Sequence, residues 1–312
     1  MELNSKIYVA GHKGLVGSAI LRALQSKGYH NLVLRTSSEL DLRNREEVYN
    51  LFQQEKIEYM FLAAAKVGGI AANNDYPADF IRDNLFIQTN VIDAAYQFNI
   101  KKLLFLGSTC IYPKFAPQPL KEEYLLTGEL EPTNQPYAIA KIAGINMCQS
   151  YNRQYGTKYI SVMPTNMYGP HDNFDLKTSH VLPALIRKFH DAKENNIPAV
   201  EVWGTGNPRR EFLHSDDLAE ACLFLMDHYN ESEIINVGVG SDISIKELAE
   251  LIQTIVGYEG EIVFNSSIPD GTPRKLVDVT KISLLGWEAK ISLENGLRSV
   301  YQAFQKEYLI KQ

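Results

Sequence analysis

Two short stretches of the chain carry side chains whose types and spacing suit carbonyl chemistry. In the first stretch, Tyr137 and Lys141 are four residues apart in a segment free of glycine and proline from Tyr137 to Ala143. On a helix this spacing puts both side chains on one face. A neighbouring ammonium group stabilises a tyrosinate and lowers the pKa of the phenol from about 10. The pair therefore predicts a proton donor to a carbonyl oxygen whose carbon receives a hydride.

A serine and a cysteine form the second stretch, LGSTCIYP at residues 106–113. If the chain stays extended after the apolar run before it, Ser108 and Cys110 point to the same side. Ser108 could then hold the same carbonyl oxygen by a hydrogen bond. Taken alone, a YxxxK motif is common by chance and Cys110 is more typical of a small buried side chain. The two stretches together predict one site.

A glycine-rich turn follows the first apolar run of the chain. In IYVAGHKGLVGSAI, Gly11, Gly14 and Gly17 stand between a predicted strand and a predicted helix. Glycines at such a junction allow a tight turn and a close approach to a pyrophosphate, whose charge the helix N-terminus favours. A lone glycine triplet also occurs in plain strand-to-helix turns. The position of this one at the N-terminus, between strand and helix, predicts a dinucleotide site.

The end of the second predicted strand, LVLRT, is where such a site contacts the adenosine ribose. An acidic residue there is typical of NAD, whereas this chain has Arg35 there and Lys13 inside the glycine turn. Two cations without a carboxylate favour the 2'-phosphate of NADP. The alternative is that Arg35 caps a sheet edge in solvent.

These motifs need a framework of strands and helices to bring them together. The candidate buried strands are Ile7 to Ala10, Leu32 to Leu34, Met60 to Ala63, Leu103 to Leu106 and Ile160 to Met163. Between them, apolar residues recur at helical spacing, as in Val48, Leu51 and Phe52. This alternation predicts an α/β fold, a Rossmann-type doubly wound parallel sheet with right-handed crossovers.

The pattern becomes less regular after Pro164, which predicts a second, smaller α/β domain. We expect the NADP-binding domain to comprise residues 1–165 with returning segments at roughly 212–238. The substrate domain is expected to comprise mainly residues 166–312. Ile234 to Val237 is one segment expected to extend the first sheet.

Four local elements are predicted in this second half. A helix is expected from Ser179 to about Asn195, and a strand from Val200 to Trp203. Asp216 or Asp217 is expected to cap the next helix. Ser244 with Glu247 predicts a capping box at the start of another.

Composition excludes several classes of protein. The net charge of −6 and the pI near 5.7 argue against general nucleic-acid binding, which usually needs a basic face. The N-terminal apolar run is too short for a signal peptide, and no later segment predicts a membrane span. Three widely spaced cysteines fit a reducing compartment and give no zinc pattern. The sequence thus predicts a cytoplasmic protein without a membrane segment and without a metal site.

Over essentially its whole length, the chain resembles the extended short-chain dehydrogenase/reductases. The glycine turn and the YxxxK motif are shared by that whole superfamily. Three stretches are similar to a narrower group within it, which epimerises and reduces GDP-sugars: LAAAKVGGI, the serine and cysteine of GSTCIYP, and MPTNMYGPHDNF. Further matching stretches are ANNDYPADFI, EPTNQPYAIAKIAG, SYNRQYG, SHVLPALIRKFH, REFLH and PDGTPRKL.

The resemblance implies an activity of two parts on one sugar. GDP-4-keto-6-deoxy-D-mannose is epimerised at carbons 3 and 5 and then reduced at carbon 4 by NADPH, which gives GDP-L-fucose. The order is chemically sensible, because the ketone acidifies both neighbouring C–H bonds and its enolate can be stabilised by Tyr137 and Ser108. By resemblance, Cys110 is the base and His180 the acid of the epimerisation.

The resemblance also implies which residues line the cofactor and the substrate. The implied cofactor-binding residues are Gly11, His12, Lys13, Gly14, Leu15, Val16, Gly17, Arg35, Ser37, Asp41, Leu42, Ala63, Ala64, Ala65, Leu106, Gly107, Tyr137, Lys141, Pro164, Thr165, Asn166, Met167 and His180. The implied substrate-binding residues are Lys188, Trp203, Arg210 and Asp270. Arg210 offers a fork for a diphosphate and Trp203 a stacking face.

Two positions depart from the pattern of this group. Ser37 stands where an arginine is often found, which weakens the selectivity for NADP. Lys188 replaces an arginine near the nucleotide, exchanging a bidentate contact for a point charge. The substrate affinity could therefore differ.

Two other functions remain open from the sequence. One is an epimerase/reductase of a related 4-keto-3,6-dideoxy nucleotide sugar of the GDP-colitose type, epimerising carbon 5 only. The other is a non-catalytic nucleotide-binding regulator on the same fold, although such proteins usually lose the tyrosine or lysine that this chain retains. By resemblance, a homodimer is expected.

Overall fold

The computed structural model describes residues 1–268 and 270–310. The strands are β1 (Ile7–Ala10), β2 (Leu32–Val33), β3 (Tyr59–Leu62), β4 (Lys102–Leu106), β5 (Tyr159–Pro164), β6 (Asn166–Tyr168), β7 (Ala199–Trp203), β8 (Arg209–Arg210), β9 (Phe212–His214), β10 (Ile235–Val237), β11 (Ile243–Ser244), β12 (Glu261–Asn265) and β13 (Arg274–Lys275). The helices are α1 (Leu15–Ser26), α2 (Arg45–Glu55), α3 (Ile70–Asp75), α4 (Pro77–Gln97), α5 (Gln135–Tyr155), α6 (Val181–Glu194), α7 (Ser215–His228), α8 (Ile245–Val256), α9 (Thr280–Leu284) and α10 (Leu293–Ile310).

A six-stranded sheet organises the first half of the chain. Its strand order is β10-β5-β4-β3-β1-β2, and each neighbouring pair is parallel. Tyr8 and Ala10 point into a core shared with α2, α4 and α5, whereas Ile7 and Val9 point into a core shared with α1 and α7. Both faces are covered by helices, which explains why the strands read as continuous apolar runs. The doubly wound parallel sheet is confirmed.

The predicted strands agree with the structure to within about a residue at each end. The strand predicted from Leu32 ends one residue early, at Val33. The segment expected to return from the second half does so, because β10 pairs with β5 through Ile235 and Val162. The sheet of the first half is therefore completed by a strand from much later in the chain.

A separate apolar core holds the second half together. It is built from α6, α8 and α10 with β7, and includes Leu185, Phe189, Val200 and Leu248. β7 pairs with β12, and a small three-stranded sheet has the order β11-β8-β13. The predicted helix from Ser179 begins at Val181, with His180 as its N-cap.

The two predicted helix caps had different outcomes. The capping box is confirmed, because Ser244 Oγ accepts from Glu247 N at 3.1 Å and Glu247 accepts from Ser244 N at 2.8 Å. The prediction that Asp216 or Asp217 caps α7 is wrong, since His214 Nδ1 accepts from Asp216 N at 3.2 Å. Asp217 instead accepts from the backbone of a later loop, at Lys290 and Ile291. Both aspartates thus bind groups far away in the sequence, since Asp216 also pairs with Arg22, and neither caps the helix.

Across the described ranges, no helix is long and apolar enough to cross a membrane. Cys110, Cys148 and Cys222 are free and buried.

Candidate active site

The candidate site lies where the strands of the parallel sheet end. Because β5, β4, β3 and β1 are parallel neighbours, the loops that follow them leave the same edge. In an open α/β sheet, ligands bind beyond this edge. The four connections carry the glycine turn, most of the LAAAKVGGI stretch, most of the LGSTCIYP stretch, and Thr165 just before β6.

The glycine turn has the shape that a dinucleotide phosphate requires. Gly11 has a φ of +83°, and a Cβ there would lie 2.8 Å from Ala64 N. A Cβ on Gly17 would collide with the carbonyl oxygen of Gly11. Gly14 caps α1 without any side-chain hydrogen bond, so the first N–H groups of α1 are free for an anion. His12 Nδ1 is a buried nitrogen that no group in the described chain hydrogen-bonds. The turn therefore fits a dinucleotide.

The loop after β2 differs from what its residue types suggested. The Arg35 guanidinium donates to Glu55 at 2.7 Å and to the Leu34 carbonyl at 2.8 Å. Glu39, which the sequence reasoning gave no weight, accepts from Thr36 N at 2.8 Å. Hydrogen bonds from Thr36 and then the charges of Arg35 and Lys13 lower the pKa of Glu39. A carboxylate thus accompanies the two cations at the adenosine end.

The other predicted residues at the adenosine end lie in the same loop. Ser37 is exposed, Leu42 is buried, and Asp41 forms an ion pair with Arg43 at 2.8 Å.

The remaining predicted cofactor residues line the sheet edge. Leu15 and Val16 open α1, and Ala63, Ala64 and Ala65 follow β3, where Ala63 N donates to Ala10 O at 3.1 Å. Leu106 is the last residue of β4 and Gly107 follows it, and Pro164 is the last residue of β5. Thr165, Asn166 and Met167 follow Pro164, with Asn166 Nδ2 donating to Glu211 O at 2.8 Å.

The LGSTCIYP stretch is not extended as far as Cys110, so that prediction is wrong. β4 ends at Leu106, and Thr109 to Ile111 form a single 3-10 turn. Ser108 caps this turn, its Oγ accepting from Cys110 N at 3.4 Å. The last backbone hydrogen bond to β5 is donated by Gly107 N to Val162 O. Beyond it the backbone forms local hydrogen bonds instead, as from Ile111 N to Ser108 O. Ser108 and Cys110 still lie side by side, but through a turn.

Tyr137 and Lys141 lie on one face of α5, as predicted. The Lys141 ammonium is 5.7 Å from the centre of the Tyr137 ring and donates to Leu106 O at 2.7 Å. Helix α5 thereby anchors to the end of β4 directly beside Ser108. Phe80 packs its ring edge-to-face with Tyr137 at 6.3 Å, which fixes the phenol from the other side.

Burial dominates the ionisation of this pair. It raises the pKa of Tyr137, with the charge of Cys110 adding to the rise and the hydrogen bond from Ser108 opposing it. The expectation that Lys141 lowers the pKa of the phenol is therefore not met in this structure. Burial lowers the pKa of Lys141 to about 8, so its ammonium form still predominates at neutral pH. Tyr137 is held in its protonated, proton-donating form.

Cys110 and His180 are both influenced by one lysine that the sequence reasoning missed. Burial raises the pKa of the Cys110 thiol, while the hydrogen bond from Ser108 and then the charge of Lys275 lower it. His180 is exposed at the start of α6, but the protein around its ring shields it in part from water, and this desolvation, followed by the charge of Lys275, lowers its pKa. Lys275 belongs to PDGTPRK, from which only Asp270 was selected.

The four predicted substrate residues fall into two neighbouring pairs. Lys188 Nζ lies 5.0 Å above the exposed ring of Trp203 and donates to Glu201 O at 2.9 Å. Asp270 accepts from Thr205 N at 2.9 Å and interacts electrostatically with Arg210. Burial lowers the pKa of Arg210. These groups form a mixed polar and aromatic surface.

Glu211 is a buried carboxylate that joins the loop after β10 to the chain after β13. One oxygen accepts from Val239 N at 2.6 Å and Gly240 N at 2.7 Å, and the other from Val277 N at 2.9 Å. The sequence signal that could have identified Glu211 is a charged residue directly before the apolar pair Phe212 and Leu213 in REFLH. In the part of the chain that the structure describes, no group of three or more His, Cys, Asp or Glu side chains could hold a metal ion.

We expect Glu211→Gln to lower the free energy of unfolding by about 1–3 kcal/mol, because a glutamine amide must turn its NH₂ group toward a backbone N–H. Chemical denaturation measures the change. The exposed Glu231→Gln is the matched control and should change stability by less than about 0.5 kcal/mol. Equal stability of the two variants would contradict the junction role of Glu211.

Comparisons with known proteins agree with this geometry. A family model described as the NAD dependent epimerase/dehydratase family matches residues 7–238. The chain is 60% identical over 311 residues to a putative GDP-L-fucose synthase 2 of Arabidopsis thaliana, covering 100% of this chain and 95% of the relative. It is 57% identical over 308 residues to the GDP-L-fucose synthase of Escherichia coli K12, covering 96% of each.

Among solved structures, a similar one is a GDP-D-glycero-L-gluco-heptose synthase from Campylobacter jejuni, determined in the presence of NADPH. The TM-score is 0.92 at 45% identity, covering 98% of this chain and 99% of the other.

Proposed function

The chain belongs to the NAD dependent epimerase/dehydratase family, and on that premise we propose that it has the activity of a GDP-L-fucose synthase. It converts GDP-4-keto-6-deoxy-D-mannose to GDP-L-fucose by epimerisation at carbons 3 and 5 and reduction at carbon 4. The observation that carries the proposal is the adjacency of a proton donor, Tyr137 with Ser108, and a candidate base, Cys110, beside one sheet edge.

The residues of the glycine turn hold the dinucleotide. Free N–H groups at the start of α1 would bind its pyrophosphate, and the buried His12 nitrogen would be available to it as a further polar contact. We take the cofactor to be NADPH, which supplies the hydride. Lys13 supports this choice, as does the similar structure determined with NADPH. The carboxylate of Glu39 and the Arg35–Glu55 pair make the preference over NADH modest.

Reduction uses the α5 face and Ser108. The raised pKa of Tyr137 keeps the phenol protonated, so it can donate its proton to the oxygen at carbon 4. Ser108 holds the same oxygen, and the two hydrogen bonds stabilise negative charge that develops on it. Lys141 provides the compensating positive charge beside the phenol when Tyr137 loses its proton.

Epimerisation uses Cys110 and His180. The Cys110 thiolate removes a proton from carbon 3 or carbon 5, and the electron pair of that C–H bond moves toward the carbonyl oxygen. His180 returns a proton to the opposite face of the ring. Its lowered pKa makes the imidazolium a stronger acid. Reduction at carbon 4 removes the ketone and ends the exchange.

The GDP part lies over the second half of the chain. Arg210 binds the diphosphate, and the Trp203 ring offers a stacking face to the GDP part. Asp270 accepts hydrogen bonds from hydroxyl groups of the ribose or the sugar. Lys188, above Trp203, contributes a point charge. The corresponding domains are 1–165 with segments at 212–238, and mainly 166–312. Separate apolar cores in the two halves support this division.

We further propose a cytoplasmic homodimer. Three buried free cysteines agree with a reducing compartment. Exposed apolar side chains on α4 and α5, such as Phe86 and Ile139, offer a surface for a second copy.

The test is an assay in heavy water with the purified chain, the keto sugar and either NADPH or NADH. We expect NADPH oxidation with deuterium at both carbon 3 and carbon 5 of the product, and slower oxidation of NADH. Uptake at carbon 5 alone would favour the 3,6-dideoxy sugar reaction. Cofactor binding without turnover would favour a nucleotide-binding regulator.

A further inference from the structure

A buried thiol needs help to act as a base, because only its thiolate accepts a proton. We propose that Lys275 is a positioning residue for epimerisation, whose ammonium group stabilises the thiolate of Cys110. The inference rests on the proposed function, in which Cys110 is the base. It assigns to β13, far along the chain, a part in the chemistry at the end of β4.

Lys275 and Cys110 line one cavity. The cavity measures about 10 Å³, room for about one water molecule. Its walls include the turn at 109–110 and Lys275, together with residues from the segment 112–131. Cys110 is 7% exposed. Because Cys110 is buried and Lys275 partly buried, the interaction between a cation and a thiolate is screened less here than on the open surface. The charge of Cys110 is in turn the largest influence that raises the pKa of Lys275, against the dominant effect of burial.

The ammonium group of Lys275 is not committed elsewhere. Among residues 1–268 and 270–310, its Nζ makes no hydrogen bond and no ion pair. The other two cations that line the cavity are engaged: Arg274 pairs with Asp242, and Lys114 pairs with Glu131 at 2.9 Å. Lys275 is partly buried, and a partly buried lysine without a partner is stabilised when an anion forms beside it.

The charges that face Cys110 from other elements do not replace Lys275. On α5, Lys141 lowers the pKa of the thiol less than Lys275 does, and its ammonium is bound to Leu106 O. Tyr137, also on α5, is held protonated and neutral. Glu131 lies on the same cavity but is neutralised by Lys114. Lys275 is thus the largest cationic influence on the thiol.

The backbone around Lys275 is fixed from both sides. Glu211 N donates to Lys275 O at 3.2 Å, and Leu276 N donates to the Gln118 side chain at 2.9 Å. Lys275 is also in register with Arg210 in the sheet of β8 and β13. The ammonium group is therefore presented from a rigid strand beside the residue that binds the diphosphate.

The charge of Lys275 acts both on Cys110, which takes a proton, and on His180, which gives one. When Cys110 takes a proton, the C–H bond breaks, an S–H bond forms, and the electron pair stays on the sugar as enolate. When His180 gives a proton, its N–H bond breaks and a new C–H bond forms. Lys275 stabilises the thiolate before the first step and favours the neutral imidazole after the second. Solvent then restores both protonation states.

The experiment compares Lys275→Met, which removes the charge, with Lys275→Arg, which keeps it. The first readout is the rate at which iodoacetamide alkylates Cys110 as a function of pH, followed by mass spectrometry of the peptide that contains Cys110. We expect the methionine variant to raise the apparent thiol pKa by about one unit or more, so that alkylation at neutral pH slows about tenfold. The arginine variant should recover most of the rate.

The second readout is deuterium uptake at carbons 3 and 5, which should fall about tenfold or more in Lys275→Met while NADPH binding is unchanged. Lys290→Met, at an exposed surface position, is the matched control and should alter neither readout.

The two readouts together distinguish a lysine that stabilises the thiolate from a lysine that binds the diphosphate. If Lys275→Met leaves the alkylation profile unchanged and raises only the KM for the GDP-sugar, Lys275 is a diphosphate ligand and the inference is overturned. If alkylation of Cys110 depends on Lys275 but the wild-type protein takes up no deuterium from heavy water, the pairing stands and the proposed function fails.

Discussion

Tyr137→Phe is expected to lower the rate of NADPH oxidation by about 10²–10⁴-fold, which is the usual contribution of a positioned general acid. The phenyl ring keeps the edge-to-face contact with Phe80 at 6.3 Å, so the fold and the helix position should be preserved. Only the proton that would be donated to the carbonyl oxygen is lost. The measurement is the decrease in NADPH absorbance with saturating keto sugar.

Deuterium uptake should survive in this variant at a reduced rate, because Ser108 still holds the enolate oxygen while Cys110 and His180 are intact. Cofactor affinity, measured by NADPH fluorescence, should be unchanged. The matched control is Tyr155→Phe, a half-exposed tyrosine on the same helix, which should reduce at the wild-type rate. Tyr137→Phe that reduced within a few fold of wild type would remove Tyr137 from the role of acid.

Cys110→Ser is expected to abolish most deuterium uptake at carbons 3 and 5, by about 10²–10⁴-fold. A serine hydroxyl does not ionise near neutral pH, whereas a thiol is far more acidic. Burial raises the pKa of the Cys110 thiol, but the hydrogen bond from Ser108 and the charge of Lys275 favour its thiolate. Serine is close in size, so the turn that Ser108 caps should remain. The measurement is mass spectrometry of the sugar recovered from heavy water.

NADPH binding should be little affected by this change, and slow reduction should yield a product that keeps its configuration at carbons 3 and 5. Cys148→Ser is the control, because that thiol is equally buried but lies beside Ser161, away from the sheet edge that carries the site. Undiminished uptake in Cys110→Ser would show that another group is the base. In that case the stabilisation of the Cys110 thiolate by Lys275 would have no role in epimerisation.

Much of the framework was predictable because it depends on near neighbours in the chain. The run from Ile7 to Ala10 is buried on both faces of the sheet, and its uniformly apolar composition predicts this burial. The capping box of Ser244 and Glu247 involves residues three apart. The spacing of Tyr137 and Lys141 needs only the helix geometry of α5.

The local predictions that were wrong are those in which a distant group competes. Asp217 does not cap α7, because its carboxylate accepts from Lys290 and Ile291. The chain after β4 turns at Thr109, since the neighbouring strand provides no further partner there. The pKa of Tyr137 is raised, because burial by the fold dominates and the hydrogen bond with Ser108 opposes it only in part.

By itself, the sequence determined the doubly wound sheet, the glycine turn, and the identity of Ser108 and Tyr137 as candidates, since each depends on residue type and short-range spacing. The catalytic role of Cys110 was implied by the family resemblance. Only the tertiary structure decided the charges around these residues. Lys275 lines the same cavity as Cys110, and Glu211 accepts from Val277 N, across long stretches of chain. An electrostatic interaction depends on distance in space and on the solvent that the fold excludes, and neither quantity is encoded in the spacing of residues along the chain.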